Sequence, residues 1–234
     1  MGMVLSGSIL ALSALLIIRI PRRYQNLILK TTVSALLIYK TIEYTLYGLL
    51  LDITKIPLEY STLSYFIFSI AVLFNLKKMM PIASFMGFIS GIGYLISFIF
   101  LADRYMEQNG FHVTMMAFIN HSILFLGSML VMNGISFHNV TRKSILTFTG
   151  IYVIYVIVIN RFVSFTQPFI FIRMLLGGDL LVYLFGNQQI SSYDYLLYFL
   201  ILFFLYQIVI QLFLKLNHIL YTIKQGDKRH EYTI

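Results

Sequence analysis

The chain has 234 residues, of which 59% are hydrophobic and only 11% charged. Soluble domains carry about a quarter charged residues, so this composition excludes a soluble globular domain, and membrane spans of about 20 residues each leave no length for a separate one. The absence of cysteine excludes disulfides, thiolate metal sites and a cysteine nucleophile, while a net charge of +8 in so apolar a chain marks cytoplasmic loops and not a nucleic-acid partner.

Apolar runs between charge and turn clusters predict seven helices, at about 3–19, 27–51, 57–76, 81–102, 112–133, 144–166 and 195–219. Each is long enough to cross a hydrocarbon core of about 30 Å at 1.5 Å per residue. The runs are continuous and do not alternate every second residue, which favours an all-α polytopic membrane bundle over a barrel.

The first run is followed, not preceded, by Arg19, Arg22 and Arg23, so it does not read as a cleavable signal. The second carries Lys40 and Glu43, three residues apart on one face, where they can neutralise each other. The third opens with IPLEYSTLSYF, bringing Glu59, Tyr60, Ser61 and Thr62 to the start of an apolar segment. In the fourth, Gly87 and Gly91 of GFISGIG form a small-xxx-small pair suited to close helix packing. The fifth holds His121 in mid-run, and the sixth carries Asn160 and Arg161 about two turns from its end. The connection 167–194 is too apolar for a solvated loop, yet Arg173, Gly177, Gly178 and Asp179 interrupt it. It reads as a re-entrant or interfacial segment. The expected organisation is a single membrane domain, 1–223, with a short basic tail, 224–234.

Loop charges alternate along the chain. Arg19, Arg22 and Arg23, then Lys77 and Lys78, then Arg142 and Lys143, then Lys224, Lys228 and Arg229 follow runs one, three, five and seven. The positive-inside rule therefore predicts an outer N-terminus and a cytoplasmic C-terminus in a cell membrane. On that topology Glu43 lies ~12 Å below the outer boundary and His121 at ~15 Å depth. Glu59 and Ser61 fall near the outer surface, and Asn160 and Arg161 in the same half. Charges at membrane depth are costly and should face inward and pair. Arg161 is a candidate counter-ion for Glu43 or Glu59, or a side chain reaching the outer headgroups. A histidine in mid-span is rare, and its imidazole can relay protons or simply bond a neighbouring helix. No cysteine/histidine metal cluster, HExxH or P-loop occurs. No cofactor is implied.

Glu43, the run Ile56-Pro57-Leu58, His121 and Asn160, set in seven spans of this size, resemble the YwaF-like bacterial integral membrane family. Its eukaryotic relatives are of the transmembrane protein 164 type, for which a lipid acyltransferase activity is described. The likeness covers about residues 25–215. Where that family commonly reads Leu-Pro-Leu-His-Leu-Cys, this chain reads Ile-Pro-Leu-Glu-Tyr-Ser. Glu59 stands for the histidine and Ser61 for the cysteine proposed as nucleophile. The resemblance implies acyl transfer or hydrolysis on outer-leaflet lipid, with Ser61 as nucleophile and His121 as base. Glu43 or Glu59 would orient the imidazole, and Asn160, Arg161 and Tyr60 would contact substrate. The competing expectation is a small ion- or proton-coupled transporter, or a lipid-binding protein, built on Glu43, Glu59 and His121. Membrane lipids are the expected partners, nucleic acid is not, and homo-oligomerisation is left open.

Overall fold

The computed structural model describes residues 2–52, 56–137, 140–162 and 192–231. These form seven helices and, among the described residues, no strand. They are α1 (Gly2–Arg19), α2 (Arg22–Leu49), α3 (Tyr60–Leu73), α4 (Met80–Asn109), α5 (Phe111–Gly134), α6 (Val140–Phe162) and α7 (Ser192–Glu231). Every predicted run contains one helix, but the bounds differ where local chemistry overrides hydropathy. The 14 residues of α3 reach ~21 Å, because the stretch 56–59 stays non-helical before it and Asn75 turns to φ 53 after it. The polar residues Asp103, Arg104 and Glu107 were expected in a loop and instead extend α4 to Asn109. Backbone helix likewise continues through 224–231, the stretch expected as a tail. Most of the connection 167–194 lies outside the described residues.

Among the described residues, four helices are long and apolar enough to cross a membrane, at Met80–Asn109, Phe111–Gly134, Thr141–Ile159 and Leu196–Ile223. Two more, α1 and α3, are apolar but shorter, while α2 is long but charged. The chain is thus a helical membrane protein. Its surface agrees: Ile151, Ile154 and Ile157 of α6 and Phe203, Phe204 and Leu212 of α7 are exposed, while Lys40, Asn120, His121, Asn133 and Asn217 are buried. Apolar side chains outside and polar ones inside satisfy a hydrocarbon solvent.

The bundle is built around α5. Buried residues make up 61% of its most apolar window, against 17% for α6 and 22% for α7. Gly110, at φ 80, joins α4 directly to α5, a left-handed conformation that glycine adopts without strain. The two helices then run side by side. A Cβ on Gly91 would stand 2.6 Å from Phe125 Cβ and 2.8 Å from the His121 carbonyl oxygen, and one on Gly87 would stand 2.5 Å from Ser128 Oγ. The glycine pair read from the sequence therefore sits at the α4–α5 seam. A core of Val33, Leu36, Phe68, Ala71, Ala83 and Leu124 fills the space between α2, α3, α4 and α5.

At the end of the bundle near the α1–α2 turn, amides tie the helices together. Gln25 donates to the Leu16 and Ile20 carbonyls at 2.8 and 2.9 Å and accepts from Asn133 at 3.2 Å. Asn217 donates to the Met132 and Ile135 carbonyls, each at 2.8 Å, and accepts from the Phe137 N–H at 2.8 Å. Helix-terminal carbonyls with no intrahelical partner are thereby satisfied where water is scarce.

Candidate functional site

Lys40 and Glu43 lie on the buried side of α2 and pair at 2.6 Å, with side chains 10% and 23% exposed. The i,i+3 spacing brings them together before any other helix is considered. The second Glu43 oxygen accepts from Tyr39 at 3.3 Å and from Tyr47 at 3.4 Å. The Lys40 ammonium also sits 4.7 Å from the centroid of the Tyr65 ring, contributed by α3. A cation over an aromatic face in a desolvated setting gains about 2 kcal/mol. One turn further along α2, Tyr44 donates to Thr62 of α3 at 3.2 Å.

The Tyr65 hydroxyl faces the other way, meeting His121 Nε2 at 2.9 Å. His121 Nδ1 lies 3.0 Å from the Ser90 carbonyl oxygen of α4. A carbonyl only accepts, so Nδ1 must carry the hydrogen, and Nε2 accepts from Tyr65. Tyr94 stacks on the imidazole at 4.3 Å with 4° between planes, and Tyr65 meets it edge-on at 5.5 Å. The close approach permitted by Gly91 is what brings the Ser90 carbonyl within reach. Beside it, Ser64 donates to the Tyr60 carbonyl at 2.7 Å and lies 2.8 Å from Ser90 Oγ. Since the single Ser64 hydrogen is already committed, Ser90 donates to Ser64. Glu43, Lys40, Tyr65, His121, Ser90 and Ser64 thus form one contiguous polar cluster drawn from four helices.

Comparison with family models, with curated proteins and with solved structures gives no match. The cluster must therefore be read from its own chemistry.

Of the residues singled out in the sequence, Lys40, Glu43 and His121 enter this cluster. Glu43 and His121 are linked through Lys40 and Tyr65 and make no direct bond to each other. Glu59 is the N-cap residue of α3, half-buried and without a side-chain bond to the helix end. Ser61 occupies the first turn of α3, half-buried, with no hydrogen bond to any described residue. Both His121 nitrogens are engaged by Tyr65 and Ser90, and neither by Ser61. Tyr60 stacks edge-on against Tyr152 of α6 at 5.1 Å. Two α6 tyrosines hold the non-helical entry to α3: Tyr152 donates to the Leu58 carbonyl at 2.8 Å and Tyr155 to that of Pro57 at 3.4 Å. Asn160 and Arg161 belong to the last turn of α6, and their side chains lie outside the described ones. The counter-ion of Glu43 is Lys40.

Sequence reasoning missed Tyr65, Ser90 and Tyr94. With 17 tyrosines in the chain, none stands out by type. A usable signal was position, since Tyr65 lies four residues after Ser61 and faces the same side of α3. Among the described residues no group of three or more His, Asp or Glu side chains could hold a metal ion.

Proposed function

We propose that this membrane protein takes up and hands on protons through Glu43, Lys40, Tyr65 and His121, as a small proton-coupled carrier. On this reading it is a multi-pass protein of the cell membrane with its N-terminus outside. The observation that carries the proposal is the double role of Tyr65, whose ring lies under the Lys40 ammonium while its hydroxyl bonds His121 Nε2. A phenol hydroxyl both donates and accepts, so it can serve Nε2 before and after that nitrogen takes a proton. A charged imidazole would face the Lys40 cation across the same ring, where screening is weak. Uptake at His121 is then coupled to the state of the Lys40–Glu43 pair. Ionisable groups inside a bilayer commonly mark such relays. Proteoliposomes loaded with a pH-sensitive dye test this: an acid pulse should give a flux above protein-free vesicles, and His121→Ala and Glu43→Gln should each return it to that background. Wild-type protein no faster than empty vesicles would remove the proposal.

A second reading is acyl transfer to or from lipid, to which the resemblance to the YwaF-like family belongs. It is favoured by the register of α3, which sets Ser61 one turn (~6 Å) from Tyr65 on the same face, with its hydroxyl unbonded among the described residues. It requires His121 Nε2 to exchange Tyr65 for Ser61, with Glu43 or Glu59 orienting the imidazole and Asn160, Arg161 and Tyr60 near the substrate. Under this reading Ser61→Ala abolishes turnover of a labelled phospholipid. Under the first, it leaves proton flux unchanged.

A further inference from the structure

The two adjacent arginines that open α2 have different fates. Arg22 turns inward and donates to the Gly134 carbonyl at the end of α5, at 2.8 Å. Arg23 turns outward and, with Tyr24, Asn26, Leu27 and Lys30, lines a cleft of about 430 Å³. Arg23, Asn26, Leu27 and Lys30 follow one another at i, i+3, i+4 and i+7, so they form one stripe along the helix. The two cations stand ~10 Å apart along its axis.

The charge pattern of the loops accounts for Arg23 only as a topology signal, and among the described residues neither cation has a carboxylate partner, the ion pair being Lys40–Glu43. Arg23 stands in the first turn of α2, at the positive end of the helix dipole, where a cation weakens the helix, and Lys30 lies two turns further along. The lining is also amphipathic. Tyr24 is 55% exposed and Leu27 62% exposed, and a small soluble anion would cover neither. A phosphodiester with attached acyl chains would cover both.

We propose that this cleft binds an acidic phospholipid, with Arg23 and Lys30 on the phosphodiester, Asn26 bonding the headgroup, and Tyr24 and Leu27 against glycerol and acyl chain. The site rests on the membrane assignment and is independent of the polar cluster described above. Cationic side chains near an anionic surface each gain about fivefold in binding, so two should give on the order of 30-fold.

The full chain in phosphatidylcholine nanodiscs containing a graded fraction of phosphatidylglycerol, with retained lipids counted by native mass spectrometry, provides the test. Wild-type protein should retain phosphatidylglycerol over phosphatidylcholine. Arg23→Gln with Lys30→Gln should weaken retention on the order of 30-fold, whereas Arg23→Lys with Lys30→Arg should keep it. Lys77→Gln with Lys78→Gln, removing an exposed basic pair elsewhere, should also keep it. Unchanged retention in the Arg23/Lys30 glutamine variant, or equal loss in the Lys77/Lys78 variant, would overturn the site. Displacement of the lipid by millimolar inorganic phosphate would overturn lipid as the ligand. Release of the chain from membranes by alkaline carbonate would contradict the membrane assignment itself.

Discussion

Replacing Gly91 by alanine probes the α4–α5 seam on which the His121 geometry depends. The new Cβ would lie 2.6 Å from Phe125 Cβ, 2.7 Å from the Phe125 nitrogen and 2.8 Å from the His121 carbonyl oxygen. Two of these neighbours are backbone atoms, so no side-chain rotation relieves them. Ordinary contact begins near 3.4 Å, which asks the two helices to part locally by about 0.8 Å. Overpacking of this kind costs about 1–3 kcal/mol. The same separation stretches the 3.0 Å bond from His121 to the Ser90 carbonyl, removing about another 1 kcal/mol. Helix propensity favours alanine by about 1 kcal/mol. The expected net loss is therefore about 1–3 kcal/mol. Gly93 on the same helix is the internal control, because a Cβ there meets nothing within 4 Å. Gly93→Ala should be neutral or slightly stabilising. Thermal unfolding in a mild detergent, followed by circular dichroism, measures both. Equal stability of the two variants would refute the close-packed seam.

Tyr65→Phe should keep the ring beneath Lys40 but leave His121 Nε2 without its partner, at a cost of about 1–3 kcal/mol in the same unfolding assay. A loss no larger than that of Tyr221→Phe, at a half-buried tyrosine of α7, would argue against the Tyr65–His121 bond. Lys40→Met should leave Glu43 without its counter-ion and cost about 2–3 kcal/mol, less than for a fully buried pair because Glu43 is partly exposed; adding Glu43→Leu should recover part of it. Asn217→Ala removes three hydrogen bonds at the α5 terminus and should cost about 2–3 kcal/mol, whereas exposed His218→Ala should cost almost nothing. The chain has no cysteine, so single cysteines can report orientation without background. Glu107→Cys should react with an impermeant maleimide in intact cells, and Lys78→Cys only after permeabilisation; the reverse pattern would invert the proposed topology.

The apolar runs located the seven helices of the described residues, because a membrane bundle writes its helices as uninterrupted hydrophobicity. They placed the ends poorly where polar residues continue a helix, as at Asp103–Asn109, or where proline and a left-handed asparagine shorten one, as around α3. Lys40 and Glu43 were legible as a pair because both lie on one helix at a fixed spacing. Gly87 and Gly91 were legible as a packing surface for the same reason, although the partner helix was not. The partners of His121 depend on how α3, α4 and α5 are registered against each other, and no local spacing encodes that. Ser61 drew attention as the departure from a resembled motif, yet the imidazole bonds a phenol one turn away on the same helix. Gln25, Asn133 and Asn217 carried a weaker signal: isolated amides among apolar residues usually have a partner to satisfy.

The partner of His121 separates proton handling from a serine–histidine pair, and nitrogen-15 NMR of the reconstituted protein reads it directly. With histidine nitrogens labelled and the His121 signals assigned by difference against His121→Gln, Nδ1 should carry the hydrogen and Nε2 should show an accepted hydrogen bond. Tyr65→Phe should shift the Nε2 resonance, and Ser61→Ala should leave it in place. An Nε2 resonance that ignores Tyr65→Phe and moves with Ser61→Ala would contradict this account.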